Sequence, residues 1–287
     1  MSDKFAVMNA LRKKQISGTS ESVEKFETGL AKKFDRSYSV AVSNGSVALD
    51  LSFQLIDLKE GDEVILPSFT IVSCLSAVLR KKATPVFCDV DPFTWNMTLE
   101  NVIEKYTNNT KAVLLVHTYG LPAEAVKIEK FCKEKNLICI EDAAEAHGQD
   151  DHQKPCGSFG MISTMSFYAN KHITSGEGGA ILLDSEDMSL KAKQMRNLDF
   201  QKNDRFQHNN MYWNYRIGGI QATLGLSQIN KLQKTISKKI EQGNNYINLL
   251  NEYQELFQLP LSGIGQSKNH FWVFGIVLKI EKYETGL

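Results

Sequence analysis

Ala112–Gly148 reads AVLLVHTYGLPAEAVKIEKFCKEKNLICIEDAAEAHG and contains a strand–helix–strand pattern. The apolar run Ala112–His117 predicts a strand, the amphipathic run Ala123–Lys135 a helix, and Leu137–Glu141 a second strand. Units of this kind join parallel strands through a right-handed crossover. The stretch therefore indicates an α/β fold in which helices cover a mainly parallel sheet.

The same alternation extends over residues 40–184. Gly45–Leu58 predicts a further helix, and five more apolar runs bring the expected sheet to seven strands: Ser39–Val42, Glu63–Leu66, Pro85–Asp89, Met161–Phe167 and Gly179–Leu183. Ligands bind such sheets at the carboxyl ends of the strands. Further along, Ile220–Tyr253 predicts a long helical stretch and His270–Ile280 a last strand.

The composition is that of an ordinary globular protein. The chain has 287 residues, 42% of them hydrophobic and 23% charged, which is enough to fill a sizeable core. Its formal net charge is zero, so we expect no nucleic acid and no membrane as a partner. The five cysteines form no CxxC pair, and we expect a reducing compartment without a metal site. No signal peptide or membrane span is evident, which predicts a cytoplasmic protein.

Two segments follow predicted strands at the expected ligand edge. Ser43–Ser46 precedes a helix, where exposed amides form an anion site, and an ordinary N-cap by Ser43 or Asn44 is an equal alternative. Asp142 comes directly after Leu137–Glu141, and its carboxylate could hold and protonate a pyridine nitrogen. A magnesium ligand or an N-cap for a following helix are the alternatives for Asp142.

Two further segments combine amines, aromatics and glycines. Ser166–Gly179 contains Lys171 among aromatic residues and glycines, a setting that suits a nucleophilic amine. Ser166 could donate its hydroxyl to a phosphate, while a surface lysine in a loop is the alternative for Lys171. Trp213–Ala222 places an amide and the Arg216 guanidinium beside aromatics, which suits phosphate or carboxylate recognition. A packed aromatic corner with Arg216 in a structural salt bridge is its alternative.

Taken in order, five blocks resemble the DegT/DnrJ/EryC1/StrS family of sugar aminotransferases. The resemblance covers about residues 10–280 and is nearest in wording to the perosamine-synthase type of 4-aminotransferase. The blocks are Ser43–Leu49 (SNGSVAL), Asp62–Thr70 (DEVILPSFT), Glu141–Gly148 (EDAAEAHG), Ser166–Gly179 (SFYANKHITSGEGG) and Tyr212–Gly225 (YWNYRIGGIQATLG).

The resemblance implies the fold-type-I architecture of enzymes that depend on pyridoxal 5'-phosphate (PLP). It divides the chain into a large PLP-binding α/β domain, residues 1–230, and the start of a small α+β domain, residues 231–287. The family is usually longer than this chain, so we expect the small domain to be incomplete. The resemblance also implies a homodimer in which each active site is built from both chains.

The family's motifs assign roles to individual residues. Lys171 is implied to be the Schiff-base lysine, and Asp142 to pair with the pyridinium nitrogen. Glu145 matches the residue beside the phenolic oxygen, and Asn214 one that reaches the phosphate in the neighbouring subunit. Gly45, Ser46 and Ser166 match the phosphate-binding residues. One departure is Ile71, which stands where the family usually has an aromatic residue that covers the cofactor ring.

These features predict an aminotransferase that moves an amino group, with glutamate as the expected donor, to a 4-keto-6-deoxy sugar carried on a nucleotide diphosphate. Two alternatives remain at this stage. A PLP-dependent nucleotide-sugar dehydratase would carry histidine where this chain has Lys171. A catalytically degenerate binding homologue would keep the fold without turnover, and Ile71 and the shortened C-terminal region are the features that favour it.

Overall fold

The computed structural model describes residues 2–201 and 206–279. The helices of this part are α1 Asp3–Arg12, α2 Glu21–Lys33, α3 Gly45–Leu55, α4 Val72–Arg80, α5 Leu99–Lys105, α6 Ala125–Glu134, α7 Glu186–Arg196, α8 Gly219–Ile229 and α9 Leu232–Leu250. The first strands are β1 Tyr38–Val42, β2 Glu63–Pro67, β3 Thr84–Cys88, β4 Thr110–Val116 and β5 Ile138–Asp142. They are followed by β6 Asp150–Asp151, β7 Lys154–Pro155, β8 Ile162–Ser166, β9 Gly179–Leu183, β10 Phe257–Gln258, β11 Gly263–Ile264, β12 Ser267–Lys268 and β13 Val277–Leu278.

The central sheet has seven strands in the order β1-β9-β8-β5-β4-β2-β3. Neighbouring strands pair in parallel from β8 through β3, whereas β9 runs antiparallel to both β8 and β1. This arrangement confirms the predicted mainly parallel seven-stranded sheet. It also places the carboxyl ends of β4, β5 and β8 side by side at one edge, where the candidate site lies.

Helices cover both faces of the sheet, and two apolar cores result. Successive residues of β2 face opposite sides: Ile65 belongs to one core, and Val64 and Leu66 to the other. The first core takes in Phe26 and Leu30 of α2, and the second takes in residues of α3 such as Phe53. Because a strand in the middle of such a sheet is buried on both faces, it is a continuous apolar run in the sequence.

The helix predicted over Ile220–Tyr253 is in fact two helices and a short 3-10 turn. It breaks between α8 and α9, where the Lys231 amide donates to the Gln228 carbonyl at 2.8 Å. This bond spans three residues instead of four, which tightens the last turn and ends the α-helical ladder. The second helix starts close to the predicted domain boundary at residue 230. Leu232 and Ile236 nevertheless pack into the first core, and the domain division stays a prediction.

The strand predicted over His270–Ile280 is wrong for most of its length. Within the described residues only Val277–Leu278 is a strand, paired with Phe257–Gln258, and Ile280 lies outside them. The backbone before this strand forms its hydrogen bonds with other parts of the chain. The His270 amide donates to the Gly120 carbonyl at 3.1 Å. The Phe271 amide donates to the Asn269 side chain at 2.7 Å. These bonds satisfy the two backbone amides without a neighbouring strand, and residues 270–276 contain no strand.

Candidate active site

A cavity of about 890 Å³ opens at the carboxyl edge of the central sheet. Three of its lining residues stand at or next to strand ends: His117 after β4, Asp142 at the end of β5 and Ser166 at the end of β8. The amino end of α3 faces the same space through Gly45 and Ser46. The sheet topology therefore brings together Gly45 and Ser166, which are 121 positions apart in the chain, as expected for a parallel α/β fold.

Asp142 is almost fully buried beneath this cavity, at 4% exposure. Its carboxylate accepts hydrogen bonds from the Ala144 amide and the Thr164 hydroxyl, both at 3.1 Å, and from the Cys74 thiol at 3.4 Å. Burial raises the pKa of the Asp142 carboxyl. No helix follows it between Ala143 and Gln149, so the alternative of a helix N-cap is wrong.

Lys171 points into the cavity, and its side chain is 8% exposed. The amine lies 3.8 Å from Oε1 of Glu145, whose other oxygen accepts the Tyr119 amide at 3.0 Å. Burial lowers the pKa of Lys171 and raises the pKa of Glu145 to about 7. The alternative of a solvated surface lysine is therefore wrong, and the buried amine is poised for a nucleophilic role.

A small concave surface forms where α3 begins. A Cβ atom on Gly45 would lie 2.9 Å from the Ser166 Cβ, so glycine is needed for this close approach. The Asn44 side chain caps the helix by accepting the Val47 amide at 2.9 Å. The anion-site and N-cap interpretations of this segment are thus compatible, because the cap leaves the first amides of the helix free. Ser46 stands beside them and shares a 2.6 Å hydrogen bond with Ser73.

An amine, a buried carboxylate and a helix amino end thus line one cavity. The combination fits a group that carries an aldehyde, a pyridine nitrogen and a phosphate. The phosphate would lie at Gly45, Ser46 and Ser166, because a helix amino end attracts anions. The aldehyde would lie at Lys171 and the ring nitrogen at Asp142.

The remaining predicted residues lie at or beyond the edge of the cavity. Ile71 precedes α4, lines the cavity and is 58% exposed, so the cavity has an aliphatic side chain where the family has an aromatic ring. Asn214 is exposed and does not line this cavity. The guanidinium of Arg216 donates to the Asn197 side-chain oxygen, so the hydrogen bond found for it runs to an amide and not to a carboxylate.

Trp272 and Tyr119 are site residues to which the sequence assigned no role. They form an aromatic wall with Phe69, with ring centroids 5.9 Å apart for Tyr119–Trp272 and 5.5 Å apart for Phe69–Tyr119. All three line the cavity. They come from three distant segments, so no local spacing could group them. The sequence signal for Trp272 is the aromatic run His270–Phe274, which lies in the segment where the predicted strand is wrong.

Among the described residues, one group could hold a metal ion: His117, Glu141 and Cys156, whose ligand atoms lie within 4.8 Å of one another. Glu141 already accepts hydrogen bonds from His117 at 2.9 Å, from the Gly157 and Phe159 amides, and from Ser163. This fully bonded carboxylate ties the strand ends together. The predicted absence of a metal stays a prediction.

As for membranes, the described helices include none with the length and apolarity that crossing a bilayer requires.

Comparison with known proteins agrees with this geometry. Residues 2–285 match the DegT/DnrJ/EryC1/StrS aminotransferase family. The chain belongs to this family. The match confirms the predicted resemblance and the predicted enzyme class, an aminotransferase.

Individual members of the DegT/DnrJ/EryC1/StrS family show similar sequences. GDP-perosamine synthase of Escherichia coli O157:H7 is 34% identical over 275 residues, which is 96% of this chain and 74% of the relative. The dTDP-4-dehydro-2,3,6-trideoxy-D-glucose 4-aminotransferase of Saccharopolyspora spinosa is 35% identical over 248 residues, 82% of this chain and 64% of that enzyme.

Solved structures of related enzymes share the fold. An aminotransferase from Psychrobacter cryohalolentis superposes with a TM-score of 0.89 at 28% identity, covering 99% of this chain and 76% of that one. The E. coli GDP-4-keto-6-deoxy-D-mannose-3-dehydratase with bound hydrated PLP gives a TM-score of 0.88 at 25% identity, with 98% and 77% covered. These neighbours confirm the predicted fold class.

Proposed function

We propose that this chain is a PLP-dependent aminotransferase that transfers an amino group from glutamate to a 4-keto-6-deoxy sugar linked to a nucleotide diphosphate. The aminotransferase class follows from the family. The substrate class is supported by two relatives, whose names specify a GDP-linked sugar product and the 4-position of a dTDP-linked sugar. The cofactor is supported by a structural neighbour that holds PLP. The observation that carries the proposal is the Lys171 amine in the cavity that lies above the buried Asp142.

PLP, when bound, supplies an aldehyde carbon that can accept the amino group and a ring that withdraws electrons. The residues of this chain hold and serve that chemistry. Lys171 would hold the aldehyde at rest, and its free Nζ would move a proton between the cofactor carbon and the sugar carbon. Asp142 keeps a proton on the ring nitrogen through its negative charge. Gly45, Ser46 and Ser166 bind the phosphate.

Two further side chains complete the proposed cofactor site. Glu145 lies beside the Lys171 amine, where its carboxylate would face the phenolic oxygen of the ring. Ile71 would offer the ring an aliphatic surface, without the stacking that an aromatic residue would provide. We therefore expect the site to bind PLP less tightly than its aromatic-containing relatives do.

A sugar dehydratase is the second candidate, because several structural neighbours are dehydratases of a GDP-linked keto sugar. The geometry favours transamination. The side chain in the cavity is Lys171, whereas the neighbouring His172 is buried with its Nε2 3.2 Å from the His270 carbonyl oxygen. Burial lowers the pKa of His172 to about 4. His172 is therefore held in the core and away from the reacting groups.

The proposed assembly is a homodimer with shared active sites. Asn214 supports it, because this residue is exposed outside the cavity of its own chain. A second subunit would be needed to bring an Asn214 to the phosphate. The neighbouring Met211 and Trp213 are exposed as well, at 95% and 39%, which suits a surface that another protein covers. The predicted cytoplasmic location and the absence of a nucleic-acid partner stay predictions.

Borohydride trapping tests the proposed function. The purified protein should be yellow, and reduction should fix the cofactor on Lys171, as found by peptide mass mapping. Lys171→Ala should bind PLP without a covalent bond and convert no keto sugar. Lys130→Ala, on the exposed face of α6, is the matched control and should be trapped like the wild type. A label on any other lysine would refute the assignment, and labelled protein without turnover would indicate a degenerate homologue.

A further inference from the structure

The amine of Lys171 lies against the face of an indole ring. Its Nζ atom is 3.5 Å from the centroid of Trp272, closer than the 3.8 Å that separates it from Oε1 of Glu145. The ring and the carboxylate are both close contacts of the amine, and the buried carboxylate of Asp142 also acts on its charge. An ammonium over the face of tryptophan is stabilised electrostatically, most strongly where water is excluded, whereas a neutral amine gains little.

Trp272 is held by several contacts from the body of the protein. Gly120, at φ +97°, lies so near that a Cβ atom would be 2.9 Å from the Trp272 amide nitrogen. Asn269 fixes the turn that precedes Trp272. Its side-chain amide donates to the Leu261 carbonyl at 2.9 Å, and its backbone amide donates to the Ser262 carbonyl at 2.8 Å. Phe271 fits over Gly243 of α9, where an added Cβ would lie 2.3 Å from its ring. A segment without regular structure is therefore held rigidly at the cavity.

The indole interacts with the Lys171 amine through its ring face, and its N–H group makes no corresponding hydrogen bond within the described part of the chain. The Trp272 Nε1 atom is buried and has no hydrogen-bond partner among the described residues. A buried donor without a partner costs free energy. That cost implies another reason for the ring to occupy this position, and the contact with the Lys171 amine supplies one.

We propose that Trp272 is a positioning residue for Lys171, whose amine it holds beside Glu145 and whose ammonium form it stabilises. The inference rests on the proposed function, in which Lys171 is released from the cofactor and moves a proton. When the amine takes that proton it becomes an ammonium, and the indole face favours this form. The ring thereby keeps the released lysine at the site of the reaction and favours its acceptance of the proton.

The test is the pH dependence of Lys171 modification in the full chain freed of cofactor. Reductive methylation with formaldehyde and cyanoborohydride consumes the neutral amine, and peptide mass spectrometry gives its rate at Lys171. Trp272→Leu should move the midpoint to lower pH, and below the midpoint it should raise the rate about three- to thirtyfold. Trp272→Phe retains a ring and should give a smaller change. Trp95→Leu is the matched control, because Trp95 also packs on Tyr119, at 5.5 Å, but does not line the cavity.

Kinetics of the holoenzyme provide a second readout. Trp272→Leu should lower kcat roughly ten- to hundredfold, the range expected when a reacting group is misplaced. The KM for glutamate should change little, and Trp272→Phe should restore part of the rate. Trp95→Leu should leave both constants near the wild-type values.

Two outcomes would overturn the inference. One is a methylation rate raised by the same factor at every pH, which would mean that Trp272 only shields the amine. The other is an unchanged pH profile in Trp272→Leu. Both are distinct from failure of the proposed function, which would appear as an absence of borohydride label on Lys171 in the wild type itself.

Discussion

Asp142 is the residue at which binding and catalysis can be separated. Asp142→Asn has nearly the same shape and can still bond Thr164 and Ala144, so the fold and much of the PLP affinity should survive. It removes the negative charge that keeps the ring nitrogen protonated. The half-reaction with glutamate should slow by at least about 10²-fold, the usual contribution of such groups. Single-turnover kinetics at equal PLP occupancy measure the effect.

A control distinguishes this charge effect from a general loss of structure. Asp187→Asn changes an acidic residue in the first turn of α7 and should leave the half-reaction unaffected. Covalent attachment of PLP to Lys171 should persist in Asp142→Asn. An undiminished single-turnover rate in Asp142→Asn would show that Asp142 has only a structural role.

Glu145 makes the stability of the cofactor-free protein depend on pH. Burial raises its pKa from 4.5 to about 7, so between these values the folded chain holds more protons on this carboxyl than the unfolded chain. The stability that it contributes is complete below pH 4.5 and is lost as the pH rises through 7, a loss of roughly 1–3 kcal/mol. Glu145→Gln cannot titrate, and its Tm should fall less than that of the wild type between pH 5 and pH 8.

Thermal unfolding of both proteins at the two pH values provides the measurement. Glu134→Gln, at the exposed end of α6, should retain the pH dependence of the wild type. A Tm difference between Glu145→Gln and the wild type that is the same at pH 5 and pH 8 would contradict the shifted pKa.

At the level of secondary-structure elements, the irregular segment after β12 packs against α9 at Gly243, where the Phe271 ring contacts the helix. Alanine stabilises a helix interior by about 1 kcal/mol relative to glycine, and on that ground alone Gly243→Ala should stabilise α9. Its Cβ would, however, lie 2.3 Å from the Phe271 ring, which must then move together with Trp272. We expect a net loss of stability of about 1–3 kcal/mol.

Urea unfolding measures this change, and Asn244→Ala on the exposed side of the same helix is the matched control. The control should be neutral or slightly stabilising. Gly243→Ala should also shift the midpoint of Lys171 methylation in the direction expected for loss of the Trp272 contact. A stabilised Gly243→Ala variant would show that Phe271 is not anchored on α9.

At the scale of the whole molecule, the proposed dimer completes the cofactor site. Asn214→Ala should weaken PLP binding by about 1.5–3 kcal/mol, the cost of losing one hydrogen bond to a charged group, and should leave the Tm of the cofactor-free protein nearly unchanged. Equilibrium titration with PLP measures this, and Asn209→Ala in the preceding exposed segment is the control. Light scattering that gave a mass of one 32.3 kDa chain with tightly bound PLP would contradict the shared site.

The central sheet and the chemical groups that line the cavity were predictable from local sequence patterns. Strands buried on both faces are apolar runs, and their alternation with helices dictates a parallel sheet with its ligands at the carboxyl edge. Asp142 and Ser166 were predictable because each stands at the end of such a run. Lys171 and Gly45 were predictable from short motifs that lie directly beside strands. All of this information is local, contained within a few positions along the chain.

The surroundings of those groups depend on contacts between distant segments, which local sequence patterns do not contain. Lys171 lies in a loop, and tertiary packing buries its amine in the cavity. Burial also raises the pKa of Glu145. Trp272 contacts Lys171 although the two residues are about a hundred positions apart in the chain. The segment that contains Trp272 is irregular because its backbone amides donate to Gly120 and Asn269 and not to a neighbouring strand. Apolar and aromatic periodicity predicts which residues are buried but not their partners, because contacts between distant segments depend on how the elements pack.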